Sequence, residues 1–592
     1  MKNMTLENLA AACGGKLVCR GQLPCGEASA VVIDSRKAEK DSIFIAVKGE
    51  RVDGHRFIPD VFAKGALGVV CEQLPEEPAG PCILVEDSLK ALRQIAEFYR
   101  AQLPVKVVGI TGSVGKTSTK EFIAAVLAQK YRVHKTQGNF NNEIGVPLTV
   151  LSMPEDTETA VLEMGINHFG EMRRLSRIAR PDICVMTNIG QCHLEYLGSR
   201  EGILKAKSEI FEYMQEDGSV VLNGDDDMLA TLTRVKGRKP VVYGISGQAA
   251  CGVPGKDAGS AEGFDIYAEN IRMKGILGSE AVFCHRGVRF PVQIPLPGEH
   301  MVYNALAAAA VGFLLGLTEK EVADGIASTQ SVSGRSRVIQ AEGRILIDDC
   351  YNANPVSMEA AIDLLTQADG SSADEKMDGK AGRTVAVLGD MFELGEEEKA
   401  LHERVGRYLI EKGADCIICA GTLSAAMYEG ALNAAKESGR QPSGGIHYFP
   451  DRQELLAGID ALLKPGDIIL VKASHSIGFE EVIKHLSLPV SHSFCSALFL
   501  EALGEIALRG KAGQLRHLCN TVIRTGQQLL AGPDSYLAQI ADGRASKVSG
   551  EGMHQIVFIQ MRNLCKHIQC DVLIVVRLNI LFQFNALPAG FD

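Results

Sequence analysis

A glycine-rich loop between a β-branched segment and an amphipathic segment constrains this chain most tightly. Residues 105–110 form a β-branched run, and residues 121–128 repeat apolar side chains at helical spacing. The intervening GSVGKT at 112–117 is typical of a phosphate-binding loop, in which N–H groups at a helix start face an anion. Lys116 can reach the outer phosphates of a nucleotide, and the Thr117 hydroxyl can bind Mg²⁺. The flanking strand and helix favour a nucleoside triphosphate site over a chance glycine-rich turn.

The predicted nucleotide contacts of this loop come from consecutive residues. They are Thr111, Gly112, Ser113, Val114, Gly115, Lys116, Thr117 and Ser118. The usual loop pattern has a glycine five positions before Gly115, where this chain has Ile110.

Length and charge restrict the class of protein. A chain of 592 residues predicts three or four domains. A net charge of −11 argues against nucleic acid or an anionic membrane as the main partner. The sequence contains no signal-peptide core and no apolar run of about twenty residues, so we expect no membrane insertion. The 16 cysteines lack framework spacing, which is typical of reduced thiols, and we expect a cytoplasmic protein.

Alternating strand and helix patterns predict an α/β protein of three units with an extension. The first unit spans 1–103, and the second, a mostly parallel doubly wound sheet, spans 104–330. Residues 264–296 alternate and predict an antiparallel meander packed on that sheet. A third α/β unit spans 331–488, and the extension at 489–592 has poor periodicity and no assignable function. The CIIC stretch at 416–419 has redox spacing, but its apolar context favours a buried strand.

Polar residues that follow the strands of the second unit are candidate site residues. Glu163 ends one apolar run, and a carboxylate there can face the Mg²⁺ of the loop. His193 follows the next strand, where a metal-binding role and a structural hydrogen bond are both open interpretations. Lys205 and Lys207 fall on a predicted helix over 200–211, and a solvated helix face accounts for both lysines.

Further candidates lie at the start of later elements. His300 and Asn304 are four residues apart on one face of an alanine-rich helix, so that face needs a polar partner. Arg335 lies at the junction of the second and third units, where a guanidinium could reach a transferring phosphoryl group. Asp349 follows a strand and can present its carboxylate to a nucleotide. A hinge turn and a strand-end cap remain open interpretations of Arg335 and Asp349.

In the first unit, Ser35, Arg36 and His55 lie in loops that follow strands, where α/β folds present ligand loops. From the residues alone, solvated turns account for these loops.

The order of five motifs resembles the Mur ligases, the ATP-dependent amino-acid ligases of peptidoglycan precursor synthesis. These motifs are TQGNFNNEIGVP at 136–147, EMGINHFGE at 163–171, NIGQCHLEYLG at 188–198, DCYNANP at 349–355 and LGDMFELG at 388–395. Family members share a phosphate loop that lacks its first glycine, so Ile110 supports the resemblance. The resemblance implies a central phosphate-loop ATPase domain and a Rossmann-like C-terminal domain. It covers residues 1 to about 488.

The resemblance also implies an activity and a set of roles. Within the family, the motifs are most similar to ligases that join D-alanyl-D-alanine to UDP-N-acetylmuramoyl-tripeptide through an acyl phosphate, using ATP and two Mg²⁺ ions. The implied metal ligands are Thr117, Glu163, His193 and a carbamylated Lys207, and the implied catalytic residues are Lys116, Lys207, His193 and Arg335. By the same resemblance, His300 and Asn304 meet the adenine, Arg335 the γ-phosphate, Asp349 the ribose side, and Ser35, Arg36 and His55 the UDP group.

One departure from the family pattern and several rival activities stay open. The family usually has Lys-Gly-Ser-Arg near its end, where this chain has KASH at 472–475, and His475 lacks the donor fork of an arginine. A diaminopimelate- or lysine-adding ligase normally carries Asp-Asn-Pro-Arg, so the motif at 388–395 favours the dipeptide-adding activity. A folylpolyglutamate synthase, an ATP-hydrolysing switch and a nucleotide-binding relic also remain open interpretations. We expect a monomer.

Overall fold

The computed structural model of the chain describes residues 1–49, 52–245, 263–341, 343–368 and 382–487. These residues form three β-sheets with helices packed on them, which confirms the predicted α/β class. The predicted extension at 489–592 lies outside the described residues.

The N-terminal sheet has five strands in the order β1-β5-β4-β3-β2. β1 is antiparallel to β5, and the other neighbours are parallel. Its elements are α1 (Leu6–Cys13), β1 (Lys16–Val18), β2 (Val31–Val32), β3 (Ile43–Ile45), α2 (Ile58–Ala63), β4 (Gly68–Cys71), β5 (Cys82–Leu84) and α3 (Ser88–Gln102).

The central sheet has nine strands in the order β14-β13-β12-β11-β10-β9-β6-β8-β7. Its strands are β6 (Lys106–Thr111), β7 (Val133–Lys135), β8 (Thr159–Glu163), β9 (Ile183–Met186), β10 (Ser219–Asn223), β11 (Val241–Ile245), β12 (Ile266–Met273), β13 (Ser279–His285) and β14 (Val288–Ile294). Its helices are α4 (Lys116–Leu127), α5 (Gly145–Leu151), α6 (Glu171–Ala179), α7 (Leu194–Leu197), α8 (Arg200–Ser208), α9 (His300–Leu314) and α10 (Glu319–Ala327). The strands from β7 to β11 are parallel, as the sequence predicted. β12 is also parallel to its neighbour β11.

The predicted packing of residues 264–296 is wrong. These residues form the expected antiparallel strands, but β12 pairs edge to edge with β11 in parallel register, Tyr243 opposite Ile266. The segment therefore extends the central sheet instead of covering its face. Alternation in the sequence reports one exposed face of a strand and does not distinguish these two arrangements.

Alternate residues of β6 face opposite apolar layers. Val107 packs with the core shared by α3, α5 and α6, whereas Val108 and Ile110 pack with the core of α4, α9 and α10. A parallel sheet buried on both faces leaves its strand ends as the place for polar side chains. The loops after β6, β8 and β9 therefore gather at one edge of the sheet.

Helix α3 joins the N-terminal sheet to the central sheet. The Tyr99 hydroxyl donates a hydrogen bond of 2.8 Å to the Met153 carbonyl oxygen. Arg100 is 5% exposed, and its Nε donates a 3.0 Å bond to the Ala179 carbonyl oxygen. The two sheets consequently share one apolar core through α3, to which Leu92 contributes.

The C-terminal sheet has six strands in the order β15-β16-β20-β17-β18-β19, parallel except for the β15–β16 pair. Its strands are β15 (Arg337–Ala341), β16 (Arg344–Asp348), β17 (Thr384–Gly389), β18 (Cys416–Ala420), β19 (Ile446–Phe449) and β20 (Ile468–Lys472). Its helices are α11 (Pro355–Gln367), α12 (Glu398–Lys412), α13 (Ser424–Ser438), α14 (Arg452–Gly458) and α15 (Glu480–Ser487). Cys416 and Cys419 are buried in β18, which confirms the predicted buried strand.

Within the described ranges, no helix combines the length and the apolar character needed to cross a bilayer.

The close approach of α12 and α13 depends on Gly406. A Cβ atom built on Gly406 would lie 1.9 Å from the Met427 carbonyl oxygen, so alanine there must push the helices apart. We expect Gly406→Ala to destabilise the C-terminal unit by about 1–3 kcal/mol, measured as a lower melting temperature. Glu411→Ala, at an exposed position of the same helix, is the matched control and should leave the melting temperature unchanged. Equal melting temperatures for Gly406→Ala and the wild type would contradict this account of the packing.

Candidate active site

The glycine-rich loop connects β6 directly to α4, as the sequence predicted. Gly112 and Gly115 have φ of 150° and 84°, values that favour glycine. Thr111 ends β6 as a fully buried residue, and α4 begins at Lys116 with no side-chain cap. Ser118 follows in the first turn of α4. The uncapped N–H groups of this turn and the helix dipole make the start of α4 suited to an anion.

Thr187 and Asn188, which follow β9, fix the loop by hydrogen bonds. The backbone N–H groups of Ser113 and Val114 donate to the carbonyl and side-chain oxygens of Asn188, at 3.0 and 2.9 Å. The Thr187 hydroxyl donates to the Val114 carbonyl oxygen at 2.6 Å. The loop shape therefore depends on the neighbouring strand. Neither residue was among the predicted site residues, although Asn188 begins one of the five motifs.

Lys116 folds back over its own loop. Its Nζ donates to the carbonyl oxygens of Gly112, at 2.8 Å, and Ser113, at 3.4 Å. Desolvation lowers the pKa of the Lys116 ammonium, and the Glu163 carboxylate opposes that shift. The ammonium is thus held by exchangeable backbone contacts next to the predicted phosphate position.

Thr117 and Glu163, two predicted metal ligands, lie in contact. The Thr117 hydroxyl donates to Glu163 Oε1 at 3.1 Å, and Asn141 Nδ2 donates to the same oxygen at 2.8 Å. Glu163 is 1% exposed, and its Oε2 accepts no hydrogen bond from any described residue. The Lys120 ammonium lies 3.8 Å from Oε2. Glu163 Oε2 therefore lies near the Lys120 ammonium but accepts no hydrogen bond within the described part of the chain.

This donor set fits Mg²⁺. A hydroxyl and a carboxylate supply the oxygen ligands that Mg²⁺ prefers, and the orphaned Oε2 of Glu163 is available to it. Among the described residues, no three His, Cys, Asp or Glu side chains cluster closely enough to hold a metal by themselves. The remaining ligands would be phosphate oxygens and water, as is usual for Mg²⁺ at a nucleotide.

Arg335 reaches the loop from the C-terminal side of the site. Its Nη2 donates to the Thr117 hydroxyl oxygen at 3.3 Å, and its Cζ lies 3.9 Å from the centre of the Tyr351 ring. The Tyr351 ring in turn stacks on the His475 ring, with centroids 5.5 Å apart. Cation–π stacking supports the guanidinium next to the predicted phosphate site. The structure thus brings Arg335 together with Thr117, and Arg335 and His475 both contact the Tyr351 ring.

The two residues predicted to meet the adenine lie in different surroundings. Asn304 is 5% exposed and accepts a 2.9 Å hydrogen bond from the Thr119 hydroxyl, so its carboxamide packs beneath the phosphate loop. Burial lowers the pKa of His300, and the Asp349 carboxylate opposes the shift. Contact of either residue with adenine remains a prediction.

Asp349 is part of a buried ion pair. Its Oδ2 lies 2.5 Å from Lys472 Nζ, and its Oδ1 accepts from the Ser336 N–H at 3.0 Å. Lys472 also donates to the Asn352 carbonyl oxygen at 2.9 Å. The pair joins the ends of β16 and β20, and a role for Asp349 at the ribose remains a prediction.

His193 lies between β9 and α7 in the left-handed region, with φ of 54°. Its Nδ1 is in hydrogen-bond contact with Glu393 Oε2, a residue of the loop after β17. This contact lowers the pKa of the Glu393 carboxyl group. Glu393 lies within one of the five motifs, but the sequence alone gave it no role.

Lys207 is buried, which corrects the interpretation of a solvated helix face. It is 1% exposed in α8, and the described residues provide it with no hydrogen bond or ion pair. Burial lowers the pKa of Lys207 to about 8, and the charge of Lys116 acts in the same direction. Lys205, two residues earlier, is exposed as predicted.

The residues predicted to hold the UDP group make local contacts in the N-terminal unit. Ser35 begins a short 3₁₀ turn, and the Arg36 guanidinium pairs with Asp34 at 2.8 Å. His55 contacts Asp53 Oδ1 through Nδ1 at 2.7 Å and accepts from the Glu72 N–H through Nε2 at 2.9 Å. These contacts give His55 a structural role, and binding of UDP here remains a prediction.

A parallel sheet whose glycine loop meets a carboxylate and an arginine defines a phosphate-loop nucleotide-binding protein. Comparison with known proteins identifies the family within this class. The chain matches the Mur ligase family catalytic domain over 27–100, the Mur ligase middle domain over 110–312 and the Mur ligase glutamate ligase domain over 334–475. It belongs to the Mur ligase family.

Named relatives agree with this assignment. The UDP-N-acetylmuramoyl-tripeptide–D-alanyl-D-alanine ligase of Bacillus subtilis is 38% identical over 77% of this chain and 92% of its own length. A crystal structure of MurF from Acinetobacter baumannii has a TM-score of 0.71 at 31% identity, covering 82% of this chain and 98% of that chain. MurF from Thermotoga maritima in complex with ADP has a TM-score of 0.64 at 29% identity, covering 77% and 97%.

Gly112 tests the loop geometry. A Cβ atom built there would lie 1.9 Å from Thr187 Oγ1, so we expect Gly112→Ala to distort the loop and weaken ADP binding. Roughly 1–3 kcal/mol of overpacking, if it opposes nucleotide binding in full, corresponds to a loss of about 5- to 160-fold in affinity, measured by titration calorimetry. Gly190→Ala is the matched control, because its Cβ would lie in ordinary contact with Val356 and Ser113 at 3.6 and 3.7 Å. Wild-type affinity in Gly112→Ala would show that the loop tolerates the added atom.

Proposed function

We infer that this chain is an ATP-dependent ligase that joins D-alanyl-D-alanine to UDP-N-acetylmuramoyl-tripeptide. The observation that carries the inference is the contact between Arg335 and Thr117 at the phosphate loop, with Glu163 bonded to the same hydroxyl. It supplies a phosphate-transfer site built from the central and C-terminal units. The named relatives support the substrate pair.

Electrostatic repulsion is the main obstacle to the proposed reaction. A peptide carboxylate and the γ-phosphate of ATP are both anionic, and phosphoryl transfer depends mostly on positioning and charge stabilisation. Lys116 and Arg335 supply positive charge at the loop, and Lys120 lies deeper against Glu163. Mg²⁺ bound by Thr117 and Glu163 would neutralise further phosphate charge. We propose a second Mg²⁺ at His193 and a carbamylated Lys207.

The proposed chemistry has two steps. First, the tripeptide carboxylate oxygen attacks the γ-phosphorus, the bond to the β-phosphate oxygen breaks, and ADP leaves. Lys116 moves from its backbone acceptors onto the phosphates, while Arg335 holds the transferring group. Second, the D-alanyl-D-alanine amine attacks the acyl carbon, phosphate leaves, and the nitrogen loses a proton as the amide forms. The acyl phosphate has to be sheltered from water, which packing of the three units can provide.

We propose that each of the three units binds a different substrate. Residues 1–103 hold the UDP-sugar through Ser35, Arg36 and His55, residues 104–330 hold ATP, and residues 331–488 hold the amine substrate. His300, Asn304 and Asp349 complete the nucleotide site. A cytoplasmic location follows from the need for ATP and a UDP-linked substrate.

An omission assay tests the proposed function. We expect the purified full chain to release ADP continuously only when ATP, UDP-N-acetylmuramoyl-tripeptide and D-alanyl-D-alanine are all present. Lys116→Ala should abolish that release without lowering the melting temperature, whereas Lys205→Ala, at an exposed position, should behave as wild type. Steady ADP release from ATP alone would favour a nucleotide-hydrolysing switch. Turnover with diaminopimelate or lysine and the dipeptide substrate would favour the neighbouring ligase.

Lys207 tests the proposed carbamate. At pH 8 about half of Lys207 is neutral, compared with roughly 0.3% of an ordinary lysine, because burial lowers its pKa to about 8. The neutral amine adds to CO₂ with loss of a proton, so ¹³C-bicarbonate should give a carbamate resonance that Lys207→Ala lacks. We expect Lys207→Ala to lose activity by about 10- to 100-fold and to be partly rescued by acetate. A wild-type rate in Lys207→Ala, with Lys205→Ala as the control, would remove Lys207 from the site.

A further inference from the structure

The loop after β17 reaches across to the loop that carries His193. Glu393 Oε2 is in hydrogen-bond contact with His193 Nδ1. Two residues later, a Cβ atom built on Gly395 would lie 3.8 Å from the Glu195 backbone. Residues 393–395 of the C-terminal unit therefore contact the loop of the central unit that carries His193, a predicted metal ligand.

The contact determines which nitrogen of the His193 ring carries a proton. An ionised carboxylate only accepts hydrogen bonds, so Nδ1–H is the donor, and Nε2 is the ring nitrogen left to meet a cation. A carboxylate behind a metal-bound histidine fixes the ring orientation and raises its basicity. Glu393 supplies such a carboxylate from another sheet.

The backbone around the contact is also specific. His193 and Glu393 both occupy the left-handed region, with φ of 54° and 61°. Among residues other than glycine, asparagine, aspartate and histidine are enriched in this region, so Glu393 is the unusual residue of the two. The two side chains are half-buried, with 21% and 38% exposed, which limits competition from water.

We propose that Glu393 is a positioning residue for His193, which turns the ring so that Nε2 faces a divalent cation. Because Glu393 belongs to the C-terminal unit, cation binding at His193 is coupled to the seating of that unit on the central sheet. The coupling is reciprocal: a bound cation favours the seated arrangement as much as seating favours the cation. The inference rests on the proposed function in one respect, namely that His193 is a cation ligand.

The test measures Mn²⁺ binding in place of Mg²⁺, in the full chain with ADP present, by electron paramagnetic resonance and calorimetry. We expect Glu393→Ala to weaken Mn²⁺ binding by about tenfold. Glu393→Gln should retain most of the affinity, because the side-chain carbonyl oxygen still accepts from Nδ1–H. Glu396→Gln, which changes the charge of an exposed neighbour in the same loop, is the matched control and should bind as wild type.

Each contrary outcome has a separate meaning. Equal losses in Glu393→Ala and Glu393→Gln would indicate that Glu393 binds the cation directly, and would overturn the positioning role. Wild-type binding in Glu393→Ala, with weakened binding in His193→Ala, would overturn this inference and leave the proposed function intact. Wild-type binding in His193→Ala would remove the metal role of His193 itself. Melting temperatures of all variants distinguish these results from loss of folding.

Discussion

The buried carboxylate of Glu163 is the constraint on which the site depends. A charge in a side chain that is 1% exposed is costly unless cations and donors surround it. Thr117 and Asn141 donate to one oxygen, and the Lys120 ammonium lies 3.8 Å from the other. The second oxygen has no hydrogen-bond donor among the described residues. The geometry therefore favours a cation at the place where the loop favours phosphate.

The C-terminal unit completes this charge arrangement. Arg335 brings a guanidinium to Thr117, and the Tyr351 ring supports it from behind. His475, which stands where the family resemblance implies an arginine, stacks on the same Tyr351 ring. The imidazole of His475 lacks the donor fork of an arginine, so its described contact in this region is the ring stacking on Tyr351. The position of Arg335 at the phosphate loop thus depends on a contact between the C-terminal and central units.

Three buried lysines differ in whether a carboxylate lies next to them. Lys120, Lys207 and Lys472 are each at most 2% exposed, yet only Lys120 and Lys472 have carboxylate partners among the described residues. A buried lysine without a partner has a lowered pKa and a reactive neutral form. Burial thus separates Lys207 from the structural lysines, and it gives a physical reason for the modification that the family resemblance implies.

The sequence by itself determined the α/β class, the strand–loop–helix around residues 112–117 and the family, because these depend on local periodicity and on short motifs. It also indicated Glu163 and Arg335 as candidates, because Glu163 ends a strand of the sheet that carries the loop and Arg335 lies at the junction of two units. Only the tertiary structure decided that Lys207 is buried, that β12 extends the central sheet and that Glu393 meets His193. These facts depend on which segments meet in space, as Glu393 and His193 do across 200 residues of sequence. Such contacts leave no periodic signal in the chain.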